Sequence, residues 1–397
     1  MKWLSAGLTF VNVATVSALL LGTAVAGLGR RVTAVCMLLA CVVAVIAYLQ
    51  TQDMRGRIYA FAANDAPRSA GASRAWFWIL AACFGFFAFR SFCWLLFVEG
   101  NQLRVQSPNN LGDLALHITY IRNFASGVPL WPENPIHIFS RLRYPAGTDM
   151  FNALLLLSGI DLQRGLIWAG LAGAFATFFA LYRWGGNFNV AGFLFNGGLA
   201  GFQVLQTFQF LDYQGDKSIA WKSLPLSMLV TQRGLLYALP AGLLLLCHWR
   251  AKYVRGEAPE NDRDAAQTPR LLPFWLEVAF YASMPLFHMH TFMALSLVAA
   301  FLFVIGDRAA RKQLATLVGI ALLPATFFVW TITDHFQARS LLQWKPGWVQ
   351  NSADFAAPFF QFWFLNFGLL PVFVLLLLGF CIWRAAKSEQ RFSFRSR

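Results

Sequence analysis

Apolar blocks of about 17–28 residues recur along the whole chain, and they limit its fold more than any other feature. A helix needs about 20 such residues to cross the hydrocarbon of a bilayer, and inside it every backbone polar group must be satisfied internally. The 397 residues are 58% hydrophobic and 13% charged, which excludes both an ordinary soluble domain and a disordered chain. The expectation is an all-α polytopic membrane protein of about ten transmembrane helices. A net charge of +14 invites a nucleic-acid partner. The cations flank apolar blocks, however, so membrane lipid is the expected partner and nucleic acid is not. All six cysteines fall inside apolar blocks and read as small packing residues rather than a loop disulfide framework.

Residues 1–49 read as a transmembrane hairpin, Leu4–Leu28 and Val32–Leu49, turning at Arg30-Arg31. Ala24-Val25-Ala26 also fits a signal-peptidase site, so cleavage of the first block is the alternative. Segment 50–74 carries Arg55, Arg57, Arg68 and Arg74 among Gly, Pro and Ser, as a cytoplasmic loop does. The core, 75–383, opens with a span at Ala75–Val98 that delivers an outer loop, 99–149. Met150–Ile160 is too short to cross, and is expected to re-enter the membrane or lie along its outer surface. Leu166–Trp184 and Phe188–Leu211 form a hairpin around Gly185-Gly186-Asn187, and Leu235–Trp249 follows. Leu271–Gly306 is twice the length of a span, so Pro285 and His288-Met289-His290 mark a turn between two short helices. Gln313–Ile332 and Phe355–Trp383 complete the spans, and 384–397 is a basic tail. Both termini fall in the cytoplasm only if Met150–Ile160 does not cross.

This map collects ionisable groups on one face. His117, His137, His288, His290 and His335 reach the outer side or its rim, with Asp113, Glu133, Asp149, Asp161, Asp212, Asp216, Asp334 and Asp354. Such groups near a membrane are costly and mark candidate sites, although any outer loop is polar. Asp113 and His117, four residues apart, share a helical face: the acid orients the imidazole, both bind a metal, or Asp113 merely caps the helix. His288 and His290 offer two metal ligands, too few alone for zinc, or else hydrogen-bonded interface histidines. Lys217, Lys222, Arg233, Arg339 and Lys345 suit a phosphate group, or plain lipid head-group contact. Glu277, placed mid-span, needs a partner or a wet cavity. The aromatic stretch 354–368 reads as an interfacial belt or a wall for an isoprenoid tail, and Gly197-Gly198-x-x-Gly201 as close helix packing. There is no Walker A, HExxH, GxSxG or Rossmann fingerprint.

Gly112-Asp113, His117, Gly127 and Tyr144-Pro145-Ala146-Gly147, in a large outer loop running into a short non-crossing helix, resemble the GT-C class of integral-membrane glycosyltransferases. TQRGLLYALP (231–240), PLFHMHTF (285–292) and WKPGW (344–348) resemble segments of polytopic proteins grouped with that class. The resemblance spans roughly 75–383. It implies a polyprenyl-phosphate sugar donor used at the extracytoplasmic face, with Asp113 as the base that deprotonates an acceptor hydroxyl and inversion at the anomeric carbon. It further implies that His117, His288 and His290 orient substrate or bind a divalent metal ion, with Tyr144 and the loop cations contacting substrate. The chain departs from the class in lacking an acid-x-acid pair at Asp113, in two preceding spans, and in having no C-terminal soluble domain. A transporter or flippase for a lipid-linked or anionic substrate, and a non-catalytic assembly protein, are the alternatives.

Overall fold

The first two apolar blocks form an antiparallel pair in the computed structural model, α1 (Lys2–Ala24) and α2 (Arg30–Gln50). The structure describes residues 1–52, 70–105, 111–137, 139–196, 208, 224–253, 271–337 and 357–388. Most of α2 faces outward with its apolar side chains bare: Leu38, Val45 and Leu49 are each more than half exposed. A soluble protein does not carry so large an apolar surface, so the solvent around it is lipid. Among the described residues, five helices are long and apolar enough to cross a membrane, or six if one bent pair counts as a span.

The chain falls into two units, Met1–Leu194 with Pro225–Leu341, and Phe195–Leu224 with Leu342–Arg397. In the first, α3 (Ala70–Cys93) ends earlier than its apolar block. Leu96–Glu99 is instead a strand, β1, paired antiparallel with β2 (Gln102–Val105). The two-residue connection Gly100-Asn101, with Gly100 at φ 60°, supplies the tight hairpin turn that the expectation of an all-helical chain missed. Helix α4 (Leu111–Ala125) follows, then a loop closed by the Trp131 Nε1 hydrogen bond to the Leu142 carbonyl at 2.6 Å.

Helix α5 (Gly147–Leu157) has 11 residues, too few to cross, as its apolar length implied. It does not lie on a surface, because Gly147 through Leu154 are all buried among α1, α4, α6 and the helix that precedes His288. Helix α6 (Leu162–Leu194) breaks its helical geometry at Gly185 and Gly186, where the turn was expected. A π-helical turn, Leu224–Leu229, precedes α7 (Leu235–Tyr253). The double-length block divides at His288 into α8 (Phe274–Phe287) and α9 (Met289–Ile305), and α10 is Arg308–Ile332. In the second unit, Phe355–Trp383 is not one straight span. Helices α11 (Phe359–Phe367) and α12 (Leu370–Ser388) meet at an 80° bend beside Gly368. Residues 197–201, with their glycines, lie outside the described residues.

Two polar clusters hold α1 and α7 against α8. Asn12 of α1 donates to Tyr237 Oη at 2.7 Å and to Ser283 Oγ at 2.5 Å, all buried. Glu277 finds the partners its depth demands: Lys252 Nζ at 2.8 Å, Trp249 Nε1 at 2.9 Å and His248 Nε2 at 3.3 Å. His248 Nδ1 accepts the Leu272 N–H, so its proton sits on Nε2, facing the carboxylate. One carboxylate thus answers one ammonium, and the cluster is electrically balanced. Cutting it on one side leaves a charge stranded, which costs about 3–5 kcal/mol, whereas removing both charges avoids that penalty. Lys252→Met is therefore expected to lower the detergent-solubilised unfolding temperature strongly, and Lys252→Met with Glu277→Gln much less. Equal losses in the two proteins would refute this account of the cluster.

Candidate functional site

Two glycines bring the site together. A Cβ at Gly234 would overlap the Phe287 carbonyl oxygen, and one at Gly147 would stand 2.9 Å from the Leu286 carbonyl oxygen. Both segments therefore press backbone to backbone on the α8–α9 junction. One carries Thr231-Gln232-Arg233 and the other leads into Asp149.

His117, on the inward face of α4, is 1% exposed, and Asp149, in the first turn of α5, is equally buried. Nδ1 of His117 lies 2.9 Å from both Asp149 carboxyl oxygens, and Nε2 lies 3.2 Å from the Thr231 carbonyl oxygen. A carbonyl only accepts, so Nε2 carries a proton. The Nδ1–carboxyl bond requires another, on whichever side it resides. The pair holds two protons between one imidazole and one carboxyl group and is therefore neutral overall. Neither ring nitrogen is left for a substrate. Tyr144 packs edge-on against the His117 ring at 5.8 Å and beside Tyr120 at 5.5 Å. Burial first, and the Asp149 charge second, push the Tyr120 hydroxyl up to about 12 and raise Tyr144 as well, so both are neutral at pH 7.

Asp113 takes a different place from the one its spacing suggested. It lies in the first turn of α4 rather than at a cap, and its side chain is exposed. The carboxylate that orients His117 comes from Asp149, 32 residues along the chain. Asp113 still belongs to the neighbourhood, since its charge and that of Asp149 both act on Tyr144.

Arg233 corrects the expectation of an interfacial cation, being 1% exposed. Its Nη2 reaches the Leu166 carbonyl oxygen at 3.4 Å, while Nε and Nη1 are buried without hydrogen-bond partners among the described residues. Burial lowers its pKa to about 10, with Asp149 acting in the opposite sense, so it stays cationic at neutral pH. Asp149 is hydrogen-bonded to His117, so although its charge is felt by Arg233, no salt bridge joins the two among the described residues. On α5, Thr148 Oγ1 and Asn152 Oδ1 are also buried and unpartnered among the described residues. Sequence reading found Arg233 but not its depth. The signal was Gly234 next to it, a residue that permits close backbone approach.

His288 sits at the junction itself. Its Nδ1 accepts the Thr291 N–H at 3.2 Å and meets Thr291 Oγ1 at 2.8 Å, and Nε2 meets Gln232 Oε1 at 3.1 Å. Both nitrogens are engaged, and the exposed His290 ring is 5.5 Å away. Among the described residues no group of three His, Cys, Asp or Glu side chains is placed to hold a metal ion. Asp334 binds Arg143 at 2.9 Å, just ahead of Tyr144, and His335 packs on Trp330 at 4.0 Å. Lys217, Lys222, Arg339 and Lys345, like WKPGW, lie outside the described residues.

Burial, and then the neighbouring His290, lower the His288 pKa from 6.5 to about 4. The unfolded chain takes up the proton first, so the stability His288 contributes is present above pH 6.5 and lost as pH falls toward 4. His288→Gln is expected to flatten that part of the unfolding-temperature profile, and an unchanged acid slope would refute the assignment. Gly234→Ala is expected to destabilise by about 2 kcal/mol or more, because a backbone carbonyl cannot swing aside as a side chain does. Wild-type stability in that variant would show that the close approach is not needed.

No protein-family model, no curated protein and no solved structure matches this chain.

Proposed function

We propose that this is a membrane glycosyltransferase that moves a sugar from a polyprenyl-phosphate donor to an acceptor hydroxyl at the extracytoplasmic face. The observation that carries the reading is Arg233: a buried cation with two nitrogens unpartnered and no direct salt bridge among the described residues. A buried cation without a direct anionic partner is expensive, and a phosphate anion bound bidentately removes the expense. Asp113 is the base. Of the two carboxylates acting on Tyr144, Asp149 is buried and engaged by His117, which leaves Asp113 as the accessible one.

Asp113 takes the proton of the acceptor hydroxyl, whose oxygen attacks the anomeric carbon. The bond from that carbon to the phosphate oxygen breaks, and the electron pair leaves with the polyprenyl phosphate. Arg233 stabilises the charge that develops there. His117 is a positioning residue, acting through Asp149 and Thr231. The reading includes the GT-C-like topology of about ten spans with both termini in the cytoplasm. A divalent metal ion is not required by these residues, and it enters only if His290 and groups outside the described residues supply ligands.

Asp113→Asn is expected to lower kcat for sugar transfer from a polyprenyl-phosphate donor by about 10²-fold or more, as loss of a general base does. Arg233→Met is expected to cost a comparable factor, about 10²–10³. Full retention of transfer in Asp113→Asn would sink the assigned role. The complete burial of Arg233 also favours a second reading, a flippase that draws the anionic head through the bundle. Under it, polyprenyl-phosphate movement in proteoliposomes would fall in Arg233→Met and be untouched in Asp113→Asn.

A further inference from the structure

A cavity of about 670 Å³ opens between α1, α5, α6 and α7, within the size range of ligand pockets. Its lining is almost wholly apolar and rich in rings, among them Phe10, Phe151, Trp168, Phe175 and Tyr237. Polar chemistry gathers beside one part of it. Thr148, whose hydroxyl is unpartnered, lines the wall immediately before Asp149, and Leu236 lines it three residues after Arg233. Arg233 in turn reaches Leu166 on α6, two residues ahead of Trp168 in the wall. An apolar slot whose wall is continuous in the chain with a buried cation that has two unpartnered nitrogens among the described residues has the two-part character of an amphiphile with an anionic head.

We infer that this cavity holds the isoprenoid chain of a polyprenyl phosphate, with α1 as one wall of the slot and Arg233 beside its phosphate end. The inference rests on the lipid-phosphate reading above and extends it to the chain. Flat unsaturated isoprene units pack well on ring faces, which is what the lining offers, and the protein already stands in lipid, so a chain can enter without crossing water. Helix α1 is fixed in this role by the Asn12 bonds to Tyr237 and Ser283, which hold it across the bundle while leaving the space beside Phe10 open.

Gly7 offers a clean test. It lines the cavity, and a Cβ placed there meets nothing within 4 Å. Gly7→Leu thus puts a side chain into the slot without a clash and replaces a poor helix former by a good one. The probes are a diazirine-bearing polyprenyl phosphate, the matching uncharged polyprenol, and a phosphatidic acid with the diazirine in its acyl chain. Each is photolysed with the full-length purified protein, and adducts are located by peptide mass spectrometry.

The polyprenyl phosphate is expected to label Phe151, Trp168 or Phe175, with at least a tenfold loss in Gly7→Leu at unchanged unfolding temperature. Labelling that is undiminished in Gly7→Leu, or absent from those residues, overturns the inference. Equal or stronger labelling by the phosphatidic acid overturns the isoprenoid assignment. Arg233→Met separates the two claims. If it weakens labelling by the phosphate but not by the polyprenol, both stand. If cavity labelling survives equally with either probe, the chain slot stands and the phosphate role of Arg233 falls. If Arg233→Met abolishes transfer while the cavity is never labelled, the slot falls and the functional reading stands.

Discussion

The backbone contact at the α8–α9 junction is the constraint on which the site depends. Phe287 and Leu286 present carbonyl oxygens there, and only residues without a Cβ approach them as Gly234 and Gly147 do. From these two contacts the rest follows. One fixes the Thr231–Arg233 turn, whose carbonyl receives the His117 Nε2 proton and whose guanidinium passes inward to α6. The other fixes the start of α5, so that Asp149 meets His117 from the opposite side. Three segments far apart in the chain converge because two of them can lie against a third.

The molecule treats buried charge in two ways. Around Glu277 the carboxylate takes hydrogen bonds from Lys252 and Trp249 and a close contact from His248, the arrangement expected of a structural cluster. Around Arg233, Asp149 is engaged by His117, and donors and acceptors are buried without partners among the described residues. Unsatisfied buried polar groups are rare in folded proteins because each costs about 1–3 kcal/mol. Four such atoms, on Arg233, Thr148 and Asn152, belong to the Arg233 region, and Thr148 also lines the cavity.

Much of this was legible in the chain, and the exceptions have physical causes. Apolar run length identified the membrane class, the shortness of α5, the break at Gly185-Gly186 and the division at His288, because hydrocarbon thickness fixes the scale. The same measure failed at Leu96–Glu99 and in Phe355–Trp383. Hydropathy does not distinguish an apolar strand from the end of a helix, nor a bent helix pair from a straight one. In the site, spacing found His117 but paired it with Asp113, since a local rule sees only one helix. Asp149 answers it through a tertiary contact. Arg233 was picked out as a cation, yet its burial depends on Gly234 and Phe287 meeting, which no pattern within one segment encodes.

The bonds from Asn12 have a consequence for how the protein is made. Its partners Tyr237 and Ser283 lie 225 and 271 residues later in the chain. At about 5–20 residues per second, α1 waits roughly 10–50 s after its own synthesis before the first of them exists. Throughout that interval the helix carries an amide, with Thr9 and Thr15 on the same helix, at a position that the finished protein buries. A polar group of this kind is poorly matched to lipid tails and seeks any partner that can satisfy it. The early membrane intermediate is therefore sticky along one side of its first helix, and biogenesis must shelter that side until the seventh and eighth helices arrive.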